Sequence, residues 1–577
     1  MKVKLAKTAG FCMGVRRAIN IVLDEAHKKK GKLYTYGPLV HNPQTIEMLK
    51  HKGVEILKKD NDVSDSTVII RAHGVPPEER SKLKESGNLV CDATCPHVAR
   101  AHAIIKKEVR EGYKAIIIGD RGHAEVDGLL GYAKENGFVV ENAADIDNLP
   151  EMDKVCVVAQ TTQDRKNFQE IVEKIETRFS DTRIFDTICD STNMRQKEVL
   201  ELAKEVDAMV IVGGKNSANT KRLYEISLST GTPSFHIEDD DELNHLGLEK
   251  FENIGLMAGA STPNWVITRV IDRIKYLLKK QRGSIFSTIE SICTFLLESS
   301  LYLSLGAVSM YYAIHALQGI KPSTTMMYIV FFYIFAMHTF NRYYEQSKNE
   351  FSEPARTRFF KSYGKALIAA AFMASLSTLY FSYLLGLKTF FLLLFSFLMG
   401  IIYSVRIIPL KPLPFIKYKR LKDIPGSKDI FVSVAWAWII VLIPMFNQDI
   451  YFSYELMTVL SFTLVTVFMR SVVFDVIRIE GDRIVGRETI PIIIGTKHTR
   501  TILLLFTLMI SVYLITSSMF GLIPSLGYYL IISPIFIIFC LYLFHKQRMQ
   551  PSRLFEAVID ANFILTGLIA YVWQSVH

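Results

Sequence analysis

The chain of 577 residues is longer than one hydrophobic core usually organises, which predicts at least two structural units. Its formal net charge of +10 does not predict nucleic-acid binding, because many basic residues fall in loops between apolar segments, where positive charge sets membrane topology. Seven cysteines form an odd set without close pairing, so metal ligation or catalysis is a better interpretation than disulfide bonds.

The composition changes sharply near residue 283 and divides the chain into residues 1–282 and 285–577. The first part alternates short apolar runs with charged helical stretches, which predicts an α/β domain with mostly parallel sheets. The N-terminal segment lacks the continuous apolar core and cleavage site of a signal peptide, so we expect this domain to stay in the cytoplasm.

Polar side chains follow the apolar runs of the first domain, at the points where the predicted strands end. Ligands of parallel sheets bind beyond the carboxyl ends of the strands, so these residues are expected to surround one cavity. The residues are His41, His73, His123, Thr161, Ser217, Asn219 and Ser261.

Three cysteines occupy similar turns after apolar runs, in the segments GFCMGV, CDATCP and DTICDSTN. Such turns are typical of thiolate ligands of an iron–sulfur cluster, but the long separations do not fit the local spacing of ferredoxins or zinc ribbons. A three-lobed protein that contributes one cysteine per lobe fits better. The candidate ligands are Cys12, Cys95 and Cys189, whereas we interpret Cys91, Cys156, Cys293 and Cys540 as packing residues.

Short motifs in a fixed order connect residues 1 to 280 with a known family. They are GFCMGV at 10–15, HN at 41–42, RAHG at 71–74, DATCP at 92–96, GHAEV at 122–126, QTT at 160–162, ICDSTNMRQ at 188–196, KNSAN at 215–219 and GAS at 259–261. In this order the motifs resemble those of the hydroxymethylbutenyl diphosphate reductases, the LytB (IspH) family.

The resemblance implies a [4Fe-4S] cluster held by Cys12, Cys95 and Cys189, with one iron open to the substrate alcohol. It also implies a reductive dehydroxylation that uses two electrons and two protons and gives isopentenyl and dimethylallyl diphosphate. The expected electron donor is a ferredoxin- or flavodoxin-type carrier, because the chain contains no flavin or nicotinamide fingerprint.

Individual residues also receive roles from the resemblance. Glu125 matches the proton donor of the family, and Thr161 matches the residue that relays or orients that proton. The positions that match the substrate-binding set are His41, His73, His123, Thr161, Ser217, Ala218, Asn219 and Ser261.

The chain departs from the family pattern at two places. Ala218 stands where a serine is usual, which removes one possible diphosphate hydrogen bond worth about 1 kcal/mol net. Asp190 and Ser191 follow the third cysteine, where small or aromatic residues are common. Ser217 and Asn219 are retained, so we expect diphosphate binding to survive.

The second part contains apolar stretches of roughly 20 residues, a length that crosses a bilayer as a helix. Lys and Arg number 5, 7, 5 and 3 in the loops 341–363, 406–428, 475–500 and 546–555, which are expected to be cytoplasmic. We therefore expect a multi-pass protein of the cell membrane, embedded in the lipid bilayer, with its first domain in the cytoplasm. About nine all-α spans are predicted, near residues 292–317, 322–340, 364–386, 388–405, 429–447, 456–474, 500–520, 523–545 and 556–574.

Two oxygen-rich clusters follow the second and sixth predicted spans on one face, with Asn341, Glu345 and Asn349 in one and Asp475 and Asp482 in the other. Mg²⁺ prefers carboxylates together with phosphate oxygens, so the clusters predict a magnesium-bridged diphosphate. This part resembles the UbiA superfamily of membrane prenyltransferases. By that resemblance, basic residues of an intervening loop also hold phosphate, at Lys422 and Lys428.

Three hypotheses remain open for the whole chain. Arg342 and Arg478 stand where the superfamily commonly has carboxylates, which supports the second of them. In the first hypothesis, the chain is a reductase fused to a prenyltransferase that acts on isoprenoid diphosphates. In the second, the reductase is fused to a non-catalytic membrane anchor or lipid-binding module. In the third, the chain is an electron-transfer membrane protein without substrate turnover, which predicts a fourth cysteine ligand.

Overall fold

The computed structural model describes residues 2–28, 31–58, 63–279, 284–346, 353–404, 424, 426–448, 452–545 and 553–577. Two compact units are present, Met1–Arg282 and Gly283–His577, and each has its own hydrophobic cores. Within the described residues, all β-strands lie in the first unit and the second unit is helical.

The first unit contains twelve short strands. They are β1 (Lys2–Leu5), β2 (Leu33–Tyr36), β3 (Val54–Leu57), β4 (Thr67–Ile70), β5 (Leu89–Asp92), β6 (Lys114–Ile118), β7 (Gly137–Val140), β8 (Lys154–Ala159), β9 (Asp181–Ile184), β10 (Ala208–Val212), β11 (Ser234–Ile237) and β12 (Asn253–Ala258).

These strands form three four-stranded sheets in which every neighbouring pair is parallel, which confirms the predicted three-lobed α/β fold. The first sheet has the order β1-β12-β10-β11, the second β3-β2-β4-β5 and the third β7-β6-β8-β9. Because β1 pairs with β12, the first and last strands of the unit lie side by side.

Helices connect the strands and cover the sheets, as parallel pairing requires. The inner strands are therefore continuous apolar runs, and Ile116, Ile117 and Ile118 in β6 are fully buried. The helices are α1 (Met13–Lys28), α2 (Pro43–His51), α3 (Pro77–Glu85), α4 (Pro96–Arg110), α5 (Ala124–Ala133), α6 (Arg165–Arg178), α7 (Asp190–Lys204), α8 (Ala218–Ser229) and α9 (Asn264–Lys279).

The second unit is built from helices around a core rich in aromatic and aliphatic side chains. They are α10 (Ser284–Glu298), α11 (Leu301–Leu317), α12 (Thr324–Glu345), α13 (Pro354–Leu385), α14 (Leu387–Ser404), α15 (Ser427–Ala437), α16 (Ile443–Asn447), α17 (Tyr454–Ile477), α18 (Ile479–Val485), α19 (Ile490–Met519), α20 (Leu526–Leu530), α21 (Ile532–His545) and α22 (Arg553–Val576). A π-helical segment, Trp438–Leu442, joins α15 to α16.

Six helices in the described residues are long and apolar enough to cross a membrane, and a bent pair, Ser291–Glu298 with Leu301–Leu317, makes a possible seventh span. The second unit is therefore an all-helical membrane domain, but the predicted count of nine spans is not confirmed. The apolar helix at Leu387–Tyr403, in the place of the fourth predicted span, is shorter than the six. The six are Arg356–Leu385, Ser427–Asn447, Tyr454–Ile477, Ile490–Met519, Leu526–His545 and Arg553–Val576.

Candidate active site

Each sheet of the first unit contributes one predicted cysteine ligand, and each cysteine follows an edge strand. Cys12 follows β1, Cys95 follows β5 and Cys189 follows β9. Cys95 and Cys189 are the N-cap residues of α4 and α7, and Cys12 immediately precedes α1. Backbone N–H groups at helix N-termini carry partial positive charge, which favours an anionic group beside the thiols.

The same backbone hydrogen bond fixes all three cysteines. In each sheet the cysteine N–H donates to a carbonyl oxygen in the loop after the neighbouring strand, and that loop also carries a predicted substrate-binding residue. The bonds join Cys12 to Ala260 at 3.1 Å, Cys95 to Ala72 at 2.9 Å and Cys189 to Thr161 at 3.0 Å.

The three thiols come from three lobes but are close enough to interact electrostatically, Cys95 with both others and Cys189 with Cys12. Burial raises the pKa of the Cys95 and Cys189 thiols. Gly14, in the first turn of α1, lies directly against Cys95, because a Cβ at this glycine would be 2.4 Å from the Cys95 Sγ. A side chain at position 14 would therefore displace the thiol.

Three histidines form a second cluster. Their ring centroids are separated by 4.8 Å for His41 and His73, 5.8 Å for His41 and His123, and 5.5 Å for His73 and His123. Burial lowers the pKa of all three, to about 4 for His41, so the imidazoles are neutral at neutral pH. Within the described residues, Nε2 of His41 and Nδ1 of His73 are buried without a hydrogen-bond partner.

These ring nitrogens can serve either an anion or a metal. One ligand atom from each histidine lies within 4.8 Å of the others, which is compatible with a metal ion. At His123, the N-cap of α5, Nδ1 accepts the backbone N–H of Glu125 at 3.2 Å, so the neutral ring carries its proton on Nε2. That N–H can donate to an anion in the cluster.

The N-terminus of α8 supplies further donors. Ser217 is its N-cap, Ala218 opens the helix, and the buried Asn219 has an Nδ2 without a partner within the described residues. The Ser261 hydroxyl donates to the carbonyl oxygen of His41 at 3.4 Å, which links the first and second sheets. Helix N-termini of this kind bind phosphate groups.

Glu125 is 2% exposed, and its carboxylate accepts the backbone N–H of Thr161 at 2.7 Å and the Thr161 hydroxyl at 3.0 Å. Both hydrogen bonds favour the ionised carboxylate, but burial outweighs them and raises the pKa of Glu125 to about 7. A carboxyl group with this pKa is protonated in a large fraction of molecules near neutral pH and can donate a proton.

Arg195 was not singled out from the sequence, although it lies in the segment ICDSTNMRQ. It is 4% exposed and its guanidinium reaches back along α7 to Ser191 and across to Gly10 in the loop before Cys12. Arg195 comes six residues after Cys189 in the same helix, α7. The sequence motif alone does not show that its side chain turns back toward the start of this helix.

In the second unit, basic side chains bind the predicted acidic residues. The Nζ of Lys428 is 2.5 Å from Asp475, and Arg487 bridges Asp482 at 3.2 Å and Glu345 at 2.9 Å. Arg487 therefore joins the two predicted clusters. Asn341 lies one turn before Glu345 in α12. The two remaining candidates, Asn349 and Lys422, lie outside the described residues.

The arginines that replace the usual carboxylates bind protein groups. Arg478 forms ion pairs with Glu556, at 2.7 Å, and with Glu353. Arg342 donates to the Ser300 hydroxyl at 2.6 Å. Both side chains thus contribute to a buried polar network among the helix ends.

Asp429 is an acidic residue of this region that was not predicted. It is fully buried, its Oδ1 accepts the Ser471 hydroxyl at 2.5 Å, and its only sequence signal is its place beside Lys428. Within the described residues, one oxygen each of Asp429, Asp475 and Asp482 is buried without a donor from another residue type, and the Asp429 and Asp475 carboxyl groups contact each other. These oxygens are available to a cation.

Comparison with known proteins matches both units. The family model described as LytB protein matches residues 3–275, and the UbiA prenyltransferase family model matches residues 302–563. The 4-hydroxy-3-methylbut-2-enyl diphosphate reductase of Aquifex aeolicus is 41% identical over 280 residues, which are 48% of this chain and 97% of that protein. The reductase of Geobacter sulfurreducens is 41% identical over 283 residues, 49% of this chain and 100% of that protein.

Two solved structures are also similar to parts of the chain. A structure of (E)-4-hydroxy-3-methyl-but-2-enyl diphosphate reductase has 42% sequence identity and a TM-score of 0.39, and covers 48% of this chain and 100% of its own. The apo structure of a UbiA homolog from Aeropyrum pernix K1 has 11% sequence identity and a TM-score of 0.37. The match covers 47% of this chain and 98% of the homolog.

Proposed function

Because this chain belongs to the LytB family of 4-hydroxy-3-methylbut-2-enyl diphosphate reductases, oxidoreductases of the non-mevalonate pathway, we propose that its first unit works on a [4Fe-4S] cluster held by Cys12, Cys95 and Cys189. The residues fit such a group. One thiol comes from each of three sheets, and the N-terminus of a helix lies at each thiol, which stabilises negative charge. When bound, the cluster would supply electrons one at a time and a Lewis-acidic iron.

The diphosphate of the substrate binds between the histidine cluster and the N-terminus of α8. The observation that carries this assignment is the set of buried polar nitrogens without partners. The Asn219 amide nitrogen needs an acceptor, each histidine nitrogen can donate in the matching tautomer, and a diphosphate offers several oxygens. The set comprises His41 Nε2, His73 Nδ1 and Asn219 Nδ2, with Ser217, Ala218, Ser261 and His123 beside them.

Glu125 holds the proton that the reaction consumes at the substrate. In the balanced reaction the allylic C–O bond breaks, the hydroxyl leaves as water with one proton, and the allyl fragment takes two electrons and a second proton. Thr161, bonded to both oxygens of Glu125, orients the carboxyl and relays its proton. The electrons come from a ferredoxin- or flavodoxin-type carrier.

Anaerobic purification of the full chain, followed by iron and sulfide analysis and a reductase assay, tests this proposal. We expect cluster content and conversion of hydroxymethylbutenyl diphosphate, and we expect Cys95→Ser to lose both. Cys91→Ser is the matched control, because Cys91 lies in the strand that precedes Cys95 and has no predicted ligand role. A wild-type chain with a cluster but no conversion would support the electron-transfer hypothesis instead.

For the second unit we propose transfer of a prenyl group from an isoprenoid diphosphate within the membrane. The unpartnered oxygens of Asp475 and Asp482 support it, because Mg²⁺ is commonly held by one or two carboxylates together with substrate phosphates. Lys428 and Arg487, already at these carboxylates, would add positive charge beside the phosphates. The basic loops that follow the spans are the reason to assign the first unit to the cytoplasm.

Membranes that contain the full chain, supplied with labelled dimethylallyl or geranyl diphosphate and Mg²⁺, test the transfer. We expect label in a lipid-soluble product, and loss of that label in Asp475→Ala and Asp482→Ala. Glu455→Ala is the control, because Glu455 lies at the opposite end of α17 from Asp475. No transfer by the wild-type chain, with reductase activity intact, would favour the anchor or lipid-binding hypothesis.

A further inference from the structure

Arg195 is a buried cation between two of the three cysteine loops. One guanidinium nitrogen donates to the Gly10 carbonyl at 2.7 Å, two residues before Cys12, and the other donates to the Ser191 carbonyl at 3.1 Å, two residues after Cys189. The Ser191 hydroxyl, one of the departures from the family pattern, also accepts from Arg195. Arg195 thus connects the first turn of α7 with the loop before α1.

This cation has no carboxylate partner at ion-pair distance within the described part of the chain. Glu198, one turn further along α7, accepts the backbone N–H groups of Lys7 and Thr8 and the Thr8 hydroxyl instead. The Nε of Arg195 is buried and has no hydrogen-bond partner among the described residues. A buried charge without a counter-charge is unfavourable, so an anionic group is required nearby.

Besides the Glu198 carboxylate, which contributes opposite charge without an ion-pair contact, the groups that can carry the opposite charge are the thiols. Arg195 interacts electrostatically with Cys12 and Cys189, and once these are thiolates their negative charge lies beside the guanidinium. Asp190, the first residue of α7, acts in the opposite sense, because its carboxylate interacts unfavourably with the Cys189 thiolate. The site therefore combines one fixed positive and one fixed negative charge next to the same ligand.

We infer that Arg195 is the counter-charge of the cluster, an assignment that rests on the proposed function of the first unit. Each electron delivered by the ferredoxin- or flavodoxin-type carrier adds one negative charge to the cluster. A fixed cation beside two of its thiolates stabilises the reduced state and raises the reduction potential, whereas Asp190 lowers it. The contacts to Gly10 and Ser191 hold the cation at this place.

A potentiometric titration of the anaerobically purified full chain, followed by electron paramagnetic resonance, measures this effect. Arg195→Gln is expected to shift the potential to more negative values, and Asp190→Asn to more positive values. Arg195→Lys, which keeps the charge, and Ser191→Ala, which removes one hydrogen bond, are expected to stay near the wild-type potential. Arg165→Gln is the control, because Arg165 is 53% exposed and pairs with Asp186.

The outcomes separate this inference from the proposed function. A wild-type chain without iron and sulfide overturns the proposed function itself. A loaded Arg195→Gln variant with the wild-type potential overturns the role of Arg195 alone. If Arg195→Gln takes up no cluster, the Arg195→Lys variant distinguishes the two explanations. An Arg195→Lys protein that binds the cluster and has a potential near the wild-type value supports the counter-charge. An Arg195→Lys protein that also loses the cluster shows that the guanidinium contacts are needed and overturns the role of the charge.

Discussion

At the scale of single residues, the proposed proton donor, Glu125, illustrates how burial and hydrogen bonding compete. Two hydrogen bonds from Thr161 stabilise the charged form of Glu125, yet the side chain is withdrawn from water, and the desolvation of the charge is the larger effect. An exposed glutamate would be ionised at neutral pH and unable to donate a proton. The protonation state of Glu125 therefore depends on its buried surroundings as well as on the carboxyl group itself.

Replacement of Glu125 by glutamine is expected to lower kcat by about 10²- to 10⁴-fold, because the amide keeps the shape of the side chain but cannot act as the acid. Its oxygen can still accept the Thr161 N–H, while its NH2 group can only donate to the Thr161 hydroxyl oxygen. Iron content and thermal unfolding are expected to match the wild type. A steady-state assay of the anaerobic protein measures the change, and Glu135→Gln, at an exposed position in the same region, is the control. Full activity of Glu125→Gln would exclude Glu125 as the donor.

The pH profile gives an independent measure of the same group. Because the pKa of Glu125 is raised to about 7 and the protonated form is the donor, kcat is expected to fall as the pH rises through this value. The decline approaches about tenfold per pH unit at higher pH, and it disappears in Glu125→Gln. An alkaline limb that persists in the glutamine variant would assign the titration to another group.

At the scale of secondary structure, the three sheets place equivalent residues at equivalent positions. In each sheet an edge strand leads to a cysteine, and the two central strands lead to polar residues of the proposed substrate site. The repeated cysteine-to-loop hydrogen bond couples the two sets. A displaced loop after β12, β4 or β8 would therefore move both a proposed substrate-binding residue and a proposed cluster ligand.

Much of this arrangement could be predicted from the sequence, and the reason is local. Apolar runs followed by His, Thr, Ser or Cys in turns identify the ends of strands. Strand pairing is not local, because β1 pairs with β12, which lies about 250 residues later in the sequence. No short segment of the sequence predicts this pairing. The role of Arg195 depends on this pairing, because Gly10 and Ser191 meet only after the lobes assemble.

The second unit was less predictable for the same reason. The substitutions Arg342 and Arg478 are visible in the sequence, but their partners come from other helices, such as Glu353 and Glu556 for Arg478. Asp429 is likewise close to Asp475 only in the folded helices. Motif positions alone therefore describe the change in charge without showing how the protein compensates for it.

Gly14→Ala tests how closely α1 approaches α4. A Cβ 2.4 Å from the Cys95 Sγ requires the thiol or the helix to move, which is expected to lower the free energy of unfolding by about 1–3 kcal/mol and to reduce iron content. Met13→Ala is the control, because Met13 lies in the same helical turn but is 61% exposed. Iron analysis and thermal unfolding measure both effects, and a Gly14→Ala chain with full iron content would contradict the close approach.

At the scale of the whole molecule, two complete structural units share one chain. The reductases of Aquifex aeolicus and Geobacter sulfurreducens are matched over nearly their full length by about half of this chain. Its three sheets and their cores lie within the first unit. The second unit contains the helices that are able to span a membrane.

Truncation after residue 282 is therefore expected to give a reductase that folds without membranes. The fragment should remain in the supernatant after ultracentrifugation, bind the same iron per chain as the full protein and retain kcat within a few-fold. The reason is that all proposed cluster ligands and all proposed substrate-binding residues of the reductase lie before this point. The full chain should sediment with membranes and resist carbonate extraction, since its spanning helices require lipid or detergent.

Cys95→Ser in the fragment is the negative control for activity. A soluble fragment that takes up the cluster but turns over at least tenfold more slowly would contradict functional independence and show that the membrane unit supports the reductase reaction.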